Sequence, residues 1–238
     1  MGQVTIMKAQ LRKFETAAEL NPVFAAEIAQ KLQQGINQNG RASMLVSGGN
    51  TPRPMFELLS QQDIAWQNVD IALVDDRWVD IDDGASNEKM VNEALLVNKA
   101  ARANFVGMKT EQQDAFQAAG EVTDKLSHLP KPFDVVILGM GEDGHTASIF
   151  PCSEQLDEAL TTDAPLMATQ PTTAPHQRMT FTKKALLNSK QVYLHLVGES
   201  KELVLNDVAA GDDEKLKPIR AFLNQSDVPM SVMLATSK

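Results

Sequence analysis

The sequence predicts an α/β fold: a mostly parallel sheet covered by helices on both faces, in a single domain over residues 1–238. Two observations carry this. Short, nearly continuous apolar runs recur along the chain, as in strands buried on both faces. Between them lie segments with apolar residues at helical spacing, and that alternation marks α/β architecture. A length of 238 residues suits one large α/β domain, and no repeat, linker or low-complexity tract interrupts it.

The elements follow in order. Ala17 to Gln38 places Leu20, Phe24, Ile28 and Leu32 at i, i+4 steps, with Gly40 as a stop. Asn21-Pro22 inside that span reads as an N-cap and first helical residue, so the helix is expected to begin there. MLVS is the first buried run and ends at Ser47; Pro52 to Leu59 follows as a helix. VDIALVDD ends at Asp76, and Ser86 then caps a helix running to Leu96. Glu111 to Leu129 is the next helix, and FDVVILGMG ends at Gly141. QVYLHLVG ends at Gly198, Ser200 to Ala210 is helical, and SVMLA closes the set. The stretch from Pro165 to Pro175 reads as a surface loop.

Composition excludes several classes. Lys plus Arg number 22 against 31 Asp plus Glu, a net charge of -9. A general nucleic-acid or anionic-membrane binder carries the opposite sign. An anionic ligand must then be held by a few local cations and backbone N–H groups. The one cysteine, Cys152, excludes an internal disulfide and Cys-based metal sites, fits a reducing compartment, and reads as inert packing. The 11 methionines read as packing too. The opening residues lack a long apolar segment and no run of about 18 apolar residues occurs. A cytoplasmic protein is expected. Gly2 is present, but Ile6 stands where an N-myristoylation signal needs Ser or Thr.

In open α/β sheets ligands bind beyond the carboxyl ends of the strands, and the unusual residues cluster there. Ser47-Gly48-Gly49-Asn50-Thr51-Pro52 follows the first run and opens a helix. It reads either as an anion cradle of backbone N–H groups or as a tight turn that needs glycine. Asp75-Asp76-Arg77 follows the second run. Adjacent carboxylates beside a cation can set protonation states, yet the triplet taken alone reads as a solvated loop with a surface ion pair. Ser86 is explained as a cap; Asn87 beside it is not.

Gly139-Met140-Gly141-Glu142-Asp143-Gly144 matches GxGxxG, so a dinucleotide site must be weighed. It lies mid-chain, and HTASIFP reaches Pro151 before a normal helix can form. His145 is the informative residue, because a base at the carboxyl end of a strand can reach a bound ligand. His128, His176 and His195 lack such context and read as structural. Arg178 in QRMTFT reads as an edge-strand surface charge or as an anion ligand. Lys201 in VGESK falls in the first turn of a helix, against the macrodipole, which makes sense if an anion sits there.

Taken together, SGGNTP, DDRWVD with SNEKM, LGMGEDGHTASIFP, RMTFT and VGESK resemble, in order, the blocks of 6-phosphogluconolactonases of the bacterial DevB-like type. The resemblance runs from about Ser47 to Lys201. It implies a Rossmann-like sheet, hydrolysis of 6-phosphoglucono-δ-lactone in the pentose phosphate pathway, and no metal or organic cofactor. It points to His145 as general base, with Asp143 or Asp75 orienting the imidazole. It assigns the phosphate to Ser47, Gly48, Gly49, Asn50 and Thr51 with Arg178 and Lys201. Arg77 serves the phosphate or the carboxylates, and Asn87 belongs to the same substrate site. Backbone N–H groups from Gly141 to Gly144 are candidate oxyanion donors. Family members usually carry Asp-Glu-Arg where this chain has Asp75-Asp76-Arg77, and Ser is common at Asn50. The expected partner is a small sugar-phosphate lactone, with no nucleic acid and no membrane, for a monomer or weak homo-oligomer. The rival readings are an amino-sugar phosphate deaminase or isomerase using Asp75 at C2, a non-catalytic sugar-phosphate-binding domain, and an NAD-dependent enzyme.

Overall fold

The computed structural model describes residues 4–238; Gly2, on which the myristoylation reading turns, lies outside them. The large sheet has eight strands. Its order is β1 (Val4–Ile6), β2 (Ala9–Thr16), β11 (Met230–Ser237), β10 (Val192–Val197), β7 (Val135–Leu138), β3 (Ala42–Val46), β4 (Val69–Leu73) and β6 (Asn104–Val106). Every pairing is parallel except β1 with β2. Every residue of β3, β4 and β7 is buried, as the continuous apolar runs predict for strands covered on both faces.

The principal helices are α1 (Ala17–Asn39), α2 (Arg53–Leu59), α3 (Asn87–Ala94), α4 (Ala115–Leu126) and α7 (Glu199–Ala209). Three short ones, α5 (Leu156–Thr161), α6 (Lys183–Leu187) and α8 (Arg220–Leu223), carry too few turns to show a period. Among the described residues no helix is long and apolar enough to cross a membrane.

Several expectations are corrected. Helix α1 starts at Ala17, not at Pro22, because Thr16 caps it by accepting the Glu19 N–H at 3.2 Å. Pro22 removes one hydrogen bond near the start of a 23-residue helix that buries Leu20, Phe24, Ile28 and Leu32. Helix α4 begins at Ala115 because Asp114 accepts the Phe116 N–H at 3.0 Å, so Glu111 to Asp114 stay outside. Strand β2 was not anticipated: AQLRKFET is mostly polar, and its pairing with β1 and β11 sets it as a strand.

The largest correction is a second, antiparallel sheet, β5 (Asp75–Arg77), β9 (Arg178–Phe181) and β8 (Leu166–Thr169), with β9 in the middle. The VDIALVDD run splits at Val74 between the two sheets. The Val74 N–H donates to Val46 of β3, and its carbonyl accepts the Phe181 N–H. The Pro165 to Pro175 stretch is not all loop, because β8 lies inside it and is wholly buried.

Candidate active site

The loops leaving β3, β7 and β10 converge with the small sheet on one cleft of about 210 Å³. That is below the roughly 300–1,000 Å³ of drug-sized sites and suits a small metabolite.

The first wall is the turn after β3. Gly49 has φ of 88°, a conformation that favours glycine. Gly48 answers a different need, since a Cβ there would lie 1.9 Å from Asn87 Oδ1. Asn87 is thus the hub that the sequence left unexplained. Its side-chain amide donates to the Asp75 carbonyl at 2.9 Å, and its Oδ1 accepts from Arg77 Nη1. Arg77 also donates to the Ala85 carbonyl at 3.1 Å.

Asp75-Asp76-Arg77 is no solvated loop, because pairing with β9 buries both carboxylates. Asp75 Oδ2 accepts from Ser148 Oγ at 2.5 Å. Asp76 accepts the N–H groups of Arg77, Asn87 and Glu88 at 2.8, 2.7 and 3.1 Å, tying β5 to the start of α3. Burial pushes its carboxyl up to about 7 against those N–H bonds, and neighbouring Asp75 adds to the rise. Between its ordinary value, about 4, and about 7, the folded protein holds a proton that the unfolded chain releases. The contribution of Asp76 to stability therefore falls as pH rises through that window, by up to about 4 kcal/mol. In Asp76→Asn this slope should flatten. Urea titrations of both proteins from pH 4.5 to 8 check it, and parallel curves would refute it.

The β5–β9 register sets Arg77 opposite Arg178. Arg178 is not an edge-strand surface charge: it lies in the central strand and is only 6% exposed. Its Nη2 donates to the Pro175 carbonyl at 3.1 Å, while its buried Nε has no partner in the structure. Burial lowers the guanidinium's pKa, and nearby Asp75 and Asp76 oppose that.

The opposite wall is the glycine-rich turn after β7. Asp143 Oδ1 lies 2.6 Å from His145 Nδ1 and also accepts the His145 backbone N–H at 3.0 Å. Burial alone would raise the Asp143 carboxyl, but the two His145 contacts outweigh it and hold it below the ordinary range. With Nδ1 engaged, Nε2 is the free ring nitrogen. Gly141 makes room for the ring, since a Cβ there would lie 2.1 Å from His145 Cε1 and Nδ1. Of the two candidate partners for the imidazole, the geometry pairs Asp143.

The turn also changes the oxyanion expectation. The Gly141 N–H donates to the His145 carbonyl at 2.9 Å and the Gly144 N–H to the Gly141 carbonyl at 3.1 Å. Both are committed to the turn itself. Gly144 does not line the cleft; it sits against Lys217, whose Cβ would lie 2.8 Å from an added Cβ. No helix opens on Gly139 to Gly144, and the next one, α5, starts at Leu156. A dinucleotide pyrophosphate would find no helix N-terminus there.

A family model described as "Glucosamine-6-phosphate isomerases/6-phosphogluconolactonase" matches residues 15–230. The chain belongs to this family. It is 37% identical over 231 residues to the 6-phosphogluconolactonase of Rhizobium meliloti (strain 1021), covering 96% of this chain and 100% of that protein. It is 38% identical over 218 residues to the 6-phosphogluconolactonase of Pseudomonas aeruginosa PAO1, covering 90% of each. Among solved structures, a 6-phosphogluconolactonase from Shewanella baltica OS155 superposes with a TM-score of 0.95 at 47% identity, covering 98% of this chain and 100% of that one.

Within this family member, the cleft gathers most of the residues singled out by sequence. Ser47, Gly48, Gly49 and Thr51 line it with Asp75, Arg77 and Asn87, and so do Gly141, His145, Arg178 and Lys201. Asn50 does not; it is exposed and borders a neighbouring depression with Arg53. Asp143 stands behind His145 rather than in the lining. Lys201 sits in the first turn of α7, and an anion does lie beside it: Glu142 Oε1 is 2.5 Å from Nζ. The macrodipole argument is met by the chain's own carboxylate.

Sequence reasoning missed Phe150, Met140, Leu196 and Val197, which line the cleft as ordinary apolar residues. His195 lines it too, but burial drops it to about 4 and keeps it neutral, packed edge-on against Phe24 at 5.2 Å. Cys152 is half-buried. Burial raises its thiol, but hydrogen bonding with Thr173 and Thr172 outweighs this and leaves it below its ordinary value. Among the described residues no group of three or more His, Cys, Asp or Glu is arranged to hold a metal ion.

Proposed function

We propose that this chain hydrolyses 6-phospho-D-glucono-1,5-lactone to 6-phospho-D-gluconate, the lactonase step of the oxidative pentose phosphate pathway. The observation that carries this reading is the Asp143–His145 pair facing a cleft bordered by Arg77, Arg178 and Lys201. The full-length relatives named above support it.

His145 Nε2 takes a proton from water as the water oxygen attacks C1. Asp143 fixes the tautomer with Nδ1–H donated to the carboxylate and stabilises the imidazolium that forms. The tetrahedral intermediate collapses by breaking the bond between C1 and the ring oxygen. The imidazolium returns its proton to that oxygen, which becomes a hydroxyl; C1 is left as a carboxylic acid, which releases the second water proton to solvent and becomes a carboxylate. Because Gly141 and Gly144 N–H groups are engaged in the turn, other donors lining the cleft meet the oxyanion. Arg178, Lys201 and the turn from Ser47 to Thr51 hold the 6-phosphate. Arg77 orients Asn87 and closes the same wall.

An isomerase of the same family would need Asp75 free to move a proton at C2. Here its Oδ2 is held by Ser148 Oγ in a buried position, which favours the lactonase. The enzyme is read as cytoplasmic, a monomer or weak homo-oligomer, and independent of metal or organic cofactor. The test is an assay with freshly generated lactone, corrected for spontaneous hydrolysis. Protein-dependent acid release should persist after exhaustive chelation, and loss with EDTA restored by a divalent ion would overturn the metal-independent part. Absence of any rate above background would overturn the activity itself.

A further inference from the structure

His145 is held by more than its carboxylate. The segment after it turns back at once: the Ile149 N–H donates to the Thr146 carbonyl at 3.0 Å, and Thr146 Oγ1 anchors to the Gly139 carbonyl at 2.8 Å. This returns Phe150 to the imidazole. The two rings stack with centroids 3.9 Å apart and planes 24° from parallel. Phe150 is 4% exposed and lines the cleft. The same ring also meets Arg178, whose guanidinium carbon lies 5.6 Å from its centroid. Arg178 has one hydrogen bond, from Nη2, and its buried Nε is unpartnered, so the aromatic contact is a large part of what locates it. One side chain therefore touches both the base and the buried cation.

We infer that Phe150 is a positioning residue of this site: its ring orients His145 and carries to it the placement of Arg178 by the substrate's phosphate. The inference rests on the lactonase reading. Its physical basis is that a ring packed on both groups cannot shift for one without shifting for the other. Asp143 holds the imidazole at one ring nitrogen and Gly141 lies close to the same edge, while the stack with Phe150 holds the ring's plane.

The experiment uses Phe150→Leu, which keeps an apolar filler, and Phe150→Tyr, which keeps the ring. With phosphorylated lactone, kcat of the Leu variant should fall roughly 10–100-fold, the size of effect that misplacing a reacting group produces. Its KM should change less, and the Tyr variant should stay within about threefold of wild type. In a His145→Ala background, Phe150→Leu should lower kcat no further and leave only the KM effect carried by Arg178, a non-additivity that a residue acting only on folding would not show. A second readout needs no turnover. In imidazole NMR spectra, adding inorganic phosphate should shift the His145 ring signals of the wild type and of the Tyr variant, and leave those of the Leu variant in place. Equal phosphate shifts in Leu and wild type, no shift in wild type, or a Tyr variant as slow as Leu would overturn the inference. If the wild type fails to hydrolyse lactone while the phosphate shifts follow this pattern, the functional reading fails and the coupling stands.

Discussion

Replacing His145 with alanine should lower kcat by roughly 10²–10⁴-fold, the usual contribution of a general base. The fold should survive. His145 sits in a surface turn with its side chain 29% exposed, and the turn's backbone hydrogen bonds do not involve the ring. Asp143 loses its ring partner but keeps the backbone N–H of residue 145. Circular dichroism and a melting curve establish folding, and the corrected lactone assay measures the rate. A folded variant turning over near the wild-type rate would remove His145 from the mechanism.

Arg178→Ala should cost most on the phosphate side. Charge-assisted hydrogen bonds are worth about 1.5–3 kcal/mol, so kcat/KM on the phosphorylated lactone should fall roughly 10–150-fold. Arg178 stands to contribute the larger share because it is buried and carries an unpartnered donor, and a guanidinium offers a phosphate two N–H groups at once. Lys201→Ala should cost less, since Lys201 already neutralises Glu142 and a bound phosphate must compete for it. The phosphate lies far from C1, so its binding energy positions the carbonyl against the water, and kcat falls along with a rise in KM. Each variant is compared on phosphorylated and unphosphorylated gluconolactone. The loss should be concentrated on the phosphorylated substrate; equal proportional losses on both would show that these cations do not read the phosphate.

The parallel core was legible because its strands are buried on both faces, which forces near-continuous apolar composition on β3, β4, β7 and β10. Helix α1 was legible because 23 residues give its period room to show, although its start was misplaced: the Thr16 cap is a local hydrogen bond with an ordinary β-strand residue. Glycine, histidine and proline at strand ends were visible for a related reason. Glycine and proline mark turns, a histidine among them stands out, and two of the glycines serve a close approach, Gly48 to Asn87 and Gly141 to His145.

The small antiparallel sheet was not legible. Strands of three or four residues show neither a helical nor a two-residue period, and DDR reads as polar loop until β9 buries it. That sheet decides much of the site. It turns Arg178 from an edge charge into a buried cation opposite Arg77, and it pairs Asp75 with Ser148 across 73 positions of sequence. Sequence by itself determined the α/β class, the end of the sheet where the cleft opens, and the identity of His145, Arg178 and Lys201 as residues that line it. Tertiary structure alone chose Asp143 over Asp75 as the partner of His145, turned Asn50 out of the cleft, and stacked Phe150 on His145. The reason is physical: residue type and local spacing fix what a side chain can do, but partners are set by which segments pack together, and those distances are not written in local order.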